Sequence, residues 1–128
     1  MADLKEVCGD ALLSTTTVSL AAAAATTLYT VPTGKILVLT KGILIAAADC
    51  STSALTIGRS TALTDFLNTQ TLSNIDAAGD VALLQPIPAA TTVLSKSYAA
   101  GIIIQVNVTV ANGAAGNILK LFGILYDA

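Results

Sequence analysis

Residues 36–45, Ile-Leu-Val-Leu-Thr-Lys-Gly-Ile-Leu-Ile, constrain this chain more than any other stretch. The run follows Pro32-Thr33-Gly34, and the β-favouring residues 26–31 precede that turn. Proline presets φ at the first corner of a tight turn, and Gly34 can take the positive φ that such turns often need. The pattern predicts strand, turn, strand, as a β-hairpin or as a strand folded back over its own sheet. Strict alternation places Leu37, Leu39, Ile43 and Ile45 on one side of the second strand and Ile36, Val38 and Leu44 on the other. A strand apolar on both sides is covered on both sides. In an all-β chain of 128 residues, the second cover is expected to be another protein.

Other strands follow from the same period. Residues 102, 104, 106, 108 and 110 are Ile, Ile, Val, Val and Val, while 105, 107 and 109 are Gln, Asn and Thr. That alternation marks a half-buried strand of an antiparallel sheet. Residues 111–116 hold an Asn-Gly pair and predict a hairpin loop. The returning strand, 117–126, has Leu119, Leu121 and Leu125 on one face and Ile118, Phe122 and Ile124 on the other. Further strands are expected at 15–20, 54–59, 81–85 and 91–94, the third ended by Pro86-Ile87-Pro88. Five consecutive alanines, 21–25, are too few to nucleate a helix and read as a link that packs closely. Residues 46–53 read as a loop. Residues 60–80 form the longest weakly patterned stretch, expected to be a functional loop with room for a helical turn near 61–67. The sum is an all-β, antiparallel sandwich or jelly roll of about eight strands.

Residues 1–14 differ in kind from the rest. Charges are dense there, Gly9 weakens any helix, and apolar residues are scattered. This segment reads as an N-terminal arm that orders against a neighbouring subunit, with Leu4, Val7, Leu12 and Leu13 as anchors, leaving 15–128 as the sandwich domain. A frayed terminus is the alternative.

Only 11% of the chain is charged while 54% is hydrophobic, against roughly 25% charged in an average soluble domain. So little charge points to a surface largely buried in an assembly. The six Lys and Arg are scattered singly, which excludes a nucleic-acid footprint. Thr40, Lys41 and Gly42 interrupt the best candidate for a membrane span. Asp3, Glu6 and Asp10 stand where a secretory signal would carry positive charge, so neither export nor membrane anchoring is expected.

Catalytic chemistry has little to work with. The chain has no histidine, hence no Ser-His-Asp or Cys-His arrangement and no His metal site. Asp76, Asp80 and Asn74 offer fewer oxygens than a calcium site collects, and solvated loop carboxylates account for them. Cys8 and Cys50 lack CxxC spacing and read as two unrelated thiols, with a disulfide as the alternative. Arg59 and Lys41 are expected at a sheet rim or paired with carboxylates across a subunit contact. Three Tyr and two Phe are too few for a base-stacking platform or a sugar shelf. No catalytic residue, cofactor or metal site is expected, and the protein reads as a non-enzyme.

Residues 28–45, with the stretch Tyr29-Thr30-Val31-Pro32-Thr33-Gly34-Lys35 leading into the aliphatic strand, resemble small β-sandwich proteins of tailed-phage particles. The likeness continues loosely through the Thr-Ile-Gly-Arg strand at 56–59 and the final Gly-Ile-Leu-Tyr at 123–126. It implies a virion structural protein, most like the capsid decoration (cement) proteins. The resemblance further implies a homo-oligomer, with a trimer favoured, that binds the major capsid protein on the outer capsid surface. Two alternatives stand beside it: a tail-tip or fibre module binding a host surface through the 60–80 loop, and a carbohydrate-binding β-sandwich.

Overall fold

The computed structural model describes residues 10–86, 90 and 96–128. Nine strands follow in chain order: β1 (Ala11–Val18), β2 (Ala25–Thr30), β3 (Lys35–Ile45), β4 (Ala54–Arg59), β5 (Ala62–Thr71), β6 (Val81–Leu84), β7 (Ser97–Tyr98), β8 (Ile103–Val110) and β9 (Asn117–Asp127). No helix occurs among the described residues. Sheet A has the order β1-β9-β3-β6, with β7 also paired to β3, and sheet B has the order β2-β8-β4-β5. All pairings are antiparallel. The chain forms the expected all-β sandwich, with nine strands where about eight were read.

The core lies between the sheets as one cluster. Leu37, Leu39, Leu44, Leu119 and Leu121 of sheet A meet Leu55, Ile57, Ile104, Val106 and Val108 of sheet B. Each fully buried aliphatic side chain stabilises the fold by about 1.5–3 kcal/mol. The alternation in β8 is realised at Ile104, Val106 and Val108, which are buried, while Val110 at the strand end is half exposed and Ile102 precedes the strand.

Both turns that flank the long apolar strands differ from expectation. β2 belongs to sheet B and β3 to sheet A, so Pro32-Thr33-Gly34 is no hairpin and does not fold a strand over its own sheet. The turn carries the chain from one sheet to the other, with Gly34 at φ +78°. Residues 111–116 likewise join β8 of sheet B to β9 of sheet A. That loop is held against the end of β1's segment instead, where Leu20 N donates to Ala114 O (2.7 Å) and Asn112 N donates to Leu20 O (2.9 Å). A turn signal specifies a reversal of direction; which sheet receives the next strand depends on burying its apolar faces.

Residues 60–80 are also corrected. Residues 62–71 form strand β5, which closes a tight hairpin with β4 through the pair Arg59↔Ala62, and no helical turn is present. Here β5 folds close over β4: a Cβ on Gly58 would lie 2.3 Å from Ala62 O and 2.7 Å from Asp65 N. Only glycine permits that approach. Residues 21–24 are a link, as read, and Ala25 opens β2, but all five alanines are exposed, so the expected close packing is absent. The first strand starts at Ala11, ahead of the expected residue 15, and the expected strand at 91–94 lies outside the described residues.

Candidate interaction surface

A β-bulge in β3 decides which side chains leave the core. Leu39 pairs with Gly123 and Lys41 with Phe122, so Thr40 is an extra residue and the alternation reverses across it. Leu37, Leu39, Gly42 and Leu44 therefore face inward, while Ile36, Val38, Lys41, Ile43 and Ile45 face outward. Simple alternation had set Leu44 beside Ile36 and Val38, and Ile43 and Ile45 beside Leu37. The Thr-Lys-Gly interruption inside the apolar run was the available signal.

Registers then assemble the outer face of sheet A row by row. Thr17, Ile118, Ile45 and Val81 form one row across β1, β9, β3 and β6, and Thr15, Lys120, Ile43 and Leu83 the next. Leu12, Phe122 and Lys41 follow, then Ile124 with Val38, then Tyr126 with Ile36. Val81 and Leu83 are each 57% exposed, Leu12 51% and Tyr126 43%. The remaining apolar members are half-buried. In projection the face covers about 500 Å², from strand spacing and rise. That is near the top of the range for the largest apolar patch on a monomer, and such patches mark interaction sites.

Two lysines stand in this field. Lys41 lies over the Phe122 ring, 5.3 Å from its centroid, and its Nζ is 3.7 Å from Asp10 Oδ2. Thr40 Oγ1 donates to the same Asp10 oxygen at 3.0 Å. Lys120, between Thr15 and Ile43, has no carboxylate partner among the described residues.

The arm residues separate. Leu4 and Val7 lie outside the described residues. Leu12 and Leu13 belong to β1, where Leu12 joins the outer face and Leu13 packs against the core. The four are thus not all in one segment ahead of the sandwich: residues 11–14 are sheet.

Elsewhere the polar groups hold structure together. Asp65, with its side chain 15% exposed, pairs with Arg59 Nε at 3.5 Å and Lys96 Nζ at 3.3 Å. Arg59 and Lys41 both find carboxylates within their own chain, not across a subunit contact. Tyr98 is buried beside this cluster with no hydrogen bond of good geometry to its hydroxyl. Burial, then the Asp65 charge, pushes its pKa well up against the opposing pull of Arg59, so it remains a neutral phenol. Cys50 is a free, buried thiol whose pKa is raised by burial and by Asp49, which makes it unreactive; Cys8 lies outside the described residues. Asp80 Oδ2 accepts from the amides of Asp76 (3.2 Å) and Ala77 (3.1 Å), closing a turn.

Asn117 is the polar residue that sequence reading passed over. It is fully buried: Oδ1 accepts from Ala47 N (2.9 Å), and Nδ2 donates to Val18 O (3.2 Å) and Ala114 O (3.1 Å). One side chain thereby ties β1, β9 and the loop after β3 together. A groove of about 480 Å³ opens between the edge strands β5 and β6, lined in part by Gln70, Leu72, Asn74, Ile75, Val81 and Leu83. Its described lining holds no ionisable group.

Compared with known proteins, the chain matches no family model, no curated protein and no solved structure. Among the described residues no helix is long and apolar enough to cross a membrane.

Proposed function

We propose that this protein is a non-enzymatic structural component of a phage particle that decorates the outer surface of the capsid shell and stabilises it. The apolar outer face of sheet A carries this reading: Val81, Leu83 and Leu12 are more than half exposed within a four-strand field of Ile and Phe. A chain with 11% charged residues and such a face is suited to permanent burial in an assembly. The major capsid protein is the partner, and a trimer is the favoured oligomer. A protein that binds only the assembled shell stabilises it by mass action, by about 2.7 kcal/mol at a hundredfold excess over Kd. The strand order supports reading the sandwich as a jelly roll, since β1-β9-β3-β6 faces β2-β8-β4-β5 and most connections cross between sheets. The tail-tip reading placed binding in a 60–80 loop, and the assignment of 62–71 to β5 leaves 72–80 as its remaining loop.

Light scattering of the purified protein, with and without empty shells from the same source, tests this. A stable trimer that co-sediments with shells at hundreds of copies per particle is the expected result. A monomer that ignores shells would sink the reading.

A further inference from the structure

The position of Lys120 narrows what can cover the outer face of sheet A. Its row neighbours are Thr15 and Ile43, with Leu83 beyond, and Ile118 and Phe122 are the outward residues before and after it on β9. Lys41, one row away, already has Asp10 at 3.7 Å. Lys120 has no such neighbour among the described residues, so a partner that covers this face is favoured when it brings a negative charge to that position. A buried ammonium left unpaired is costly, whereas one met by a carboxylate with good geometry is tolerated and fixes the register of the contact.

The same lysine argues against the simplest self-association. In a two-fold, face-to-face dimer through the middle of this sheet, each copy would bring Lys41 and Lys120 against a single carboxylate, Asp10, that Lys41 and Thr40 already engage. Like charges juxtaposed across an interface cost several kcal/mol. The projected area, about 500 Å² before side-chain relief is counted, is of the order one partner contributes to a specific complex.

We propose that the outer face of sheet A is the surface that seats on the shell subunit, and that the subunit presents there an apolar patch with one Asp or Glu carboxylate opposite Lys120. This rests on the shell-decoration reading above and adds to it the face and the chemistry of the partner. Val81, Leu83, Ile43, Ile118 and Phe122 supply the apolar contact, and the Lys120 ammonium supplies the charge that sets orientation.

Co-sedimentation with empty shells is measured for the wild type and for Lys120→Glu, Lys120→Arg and Leu83→Asp, each first shown by thermal unfolding to keep the wild-type midpoint. Lys120→Glu and Leu83→Asp are expected to weaken binding ~10-fold or more, with Lys120→Arg close to wild type. Wild-type binding by Lys120→Glu and Leu83→Asp would overturn the proposal and leave shell decoration standing. A wild type that ignores shells would end the decoration reading and this proposal with it. A photo-crosslinker at position 83 identifies the occupant directly. An adduct with the shell subunit supports the proposal. An adduct between two copies, or one internal to the chain, would replace the shell with a second copy or with the chain's own residues.

Discussion

On the outer face of sheet B, β8 presents Gln105, Asn107 and Thr109, with Thr27 of β2 opposite Gln105. Gln105 Nε2 donates to Thr27 Oγ1 at 3.1 Å, so this face is knit by side-chain hydrogen bonds. On sheet A the equivalent outward positions of β9 and β3 hold Ile118, Phe122, Ile43 and Ile45. Both sheets have apolar inner faces that meet in one core. The difference lies in what each turns away from the core: polar side chains along β8 of sheet B, mostly apolar ones along β9 and β3 of sheet A. Apolar pattern alone does not show which side of such a strand is core; the register against the other sheet does.

The sharpest way to break this contrast is to truncate the two faces of sheet A separately. Leu119→Ala on the buried face should cost about 4 kcal/mol, measured by urea denaturation, because a fully buried leucine leaves a cavity. Leu83→Ala on the outer face should change stability by under about 0.5 kcal/mol. Comparable losses at both sites would mean that the outer face is already covered within the chain. Next comes Gly58→Ala, which drives a methyl into the β5 backbone and should cost about 3 kcal/mol. A neutral result in the same assay would mean that β5 does not close over β4 as described. Asn117→Ala removes the partner of the part-buried Ala47 amide and one donor each from the Val18 and Ala114 carbonyls, the latter still bonded to Leu20 N, for about 1–2 kcal/mol. Hydrogen exchange should then speed up selectively at Ala47; unchanged protection would assign that tie to the backbone.

The smallest effect concerns pH. Tyr98 in β7 of sheet A lies beside Asp65 in β5 of sheet B, and its folded pKa is raised by burial above the usual value of about 10. The folded state therefore holds this proton more tightly than the unfolded state does. That contribution is complete below about pH 10 and is lost as pH rises beyond it. Thermal midpoints should fall on the alkaline side for the wild type and less steeply for Tyr98→Phe. At pH 7 the substitution should be neutral or slightly stabilising, since the hydroxyl it removes has no partner. Identical alkaline profiles would show that Tyr98 ionises freely.

Strands β3, β8 and β9 were legible because their apolar runs are long and bounded by turn residues. β5 was not. Its Phe66 and Leu67 are adjacent, both buried, and flanked by Asp65 and Asn68, so no period of two survives the irregular pairing with β4. The docking face was half legible. That β3 and β9 are apolar on both sides could be read, but the bulge at Thr40 exchanges Leu44 for Ile43 and Ile45, and its one trace in the sequence is the Thr-Lys-Gly interruption. Val81 and Leu83 read only as a short strand, because their exposure depends on β6 lying at the sheet edge. The arm anchors were drawn across what is now a strand boundary, and β1 begins where Ala11 finds Gly123, more than a hundred positions later.

β9 sits between β1 and β3 and follows both in chain order. On the ribosome, β1 and β3 thus emerge before the neighbour that joins them, each exposing unpaired backbone and, in β3, aliphatic side chains on both faces. Sheet A is complete only once β9 has joined them, and with pairings so distant in sequence that step is slow. Any chain cut before β9 lacks the middle of a sheet and keeps two unpaired edges as templates for aggregation.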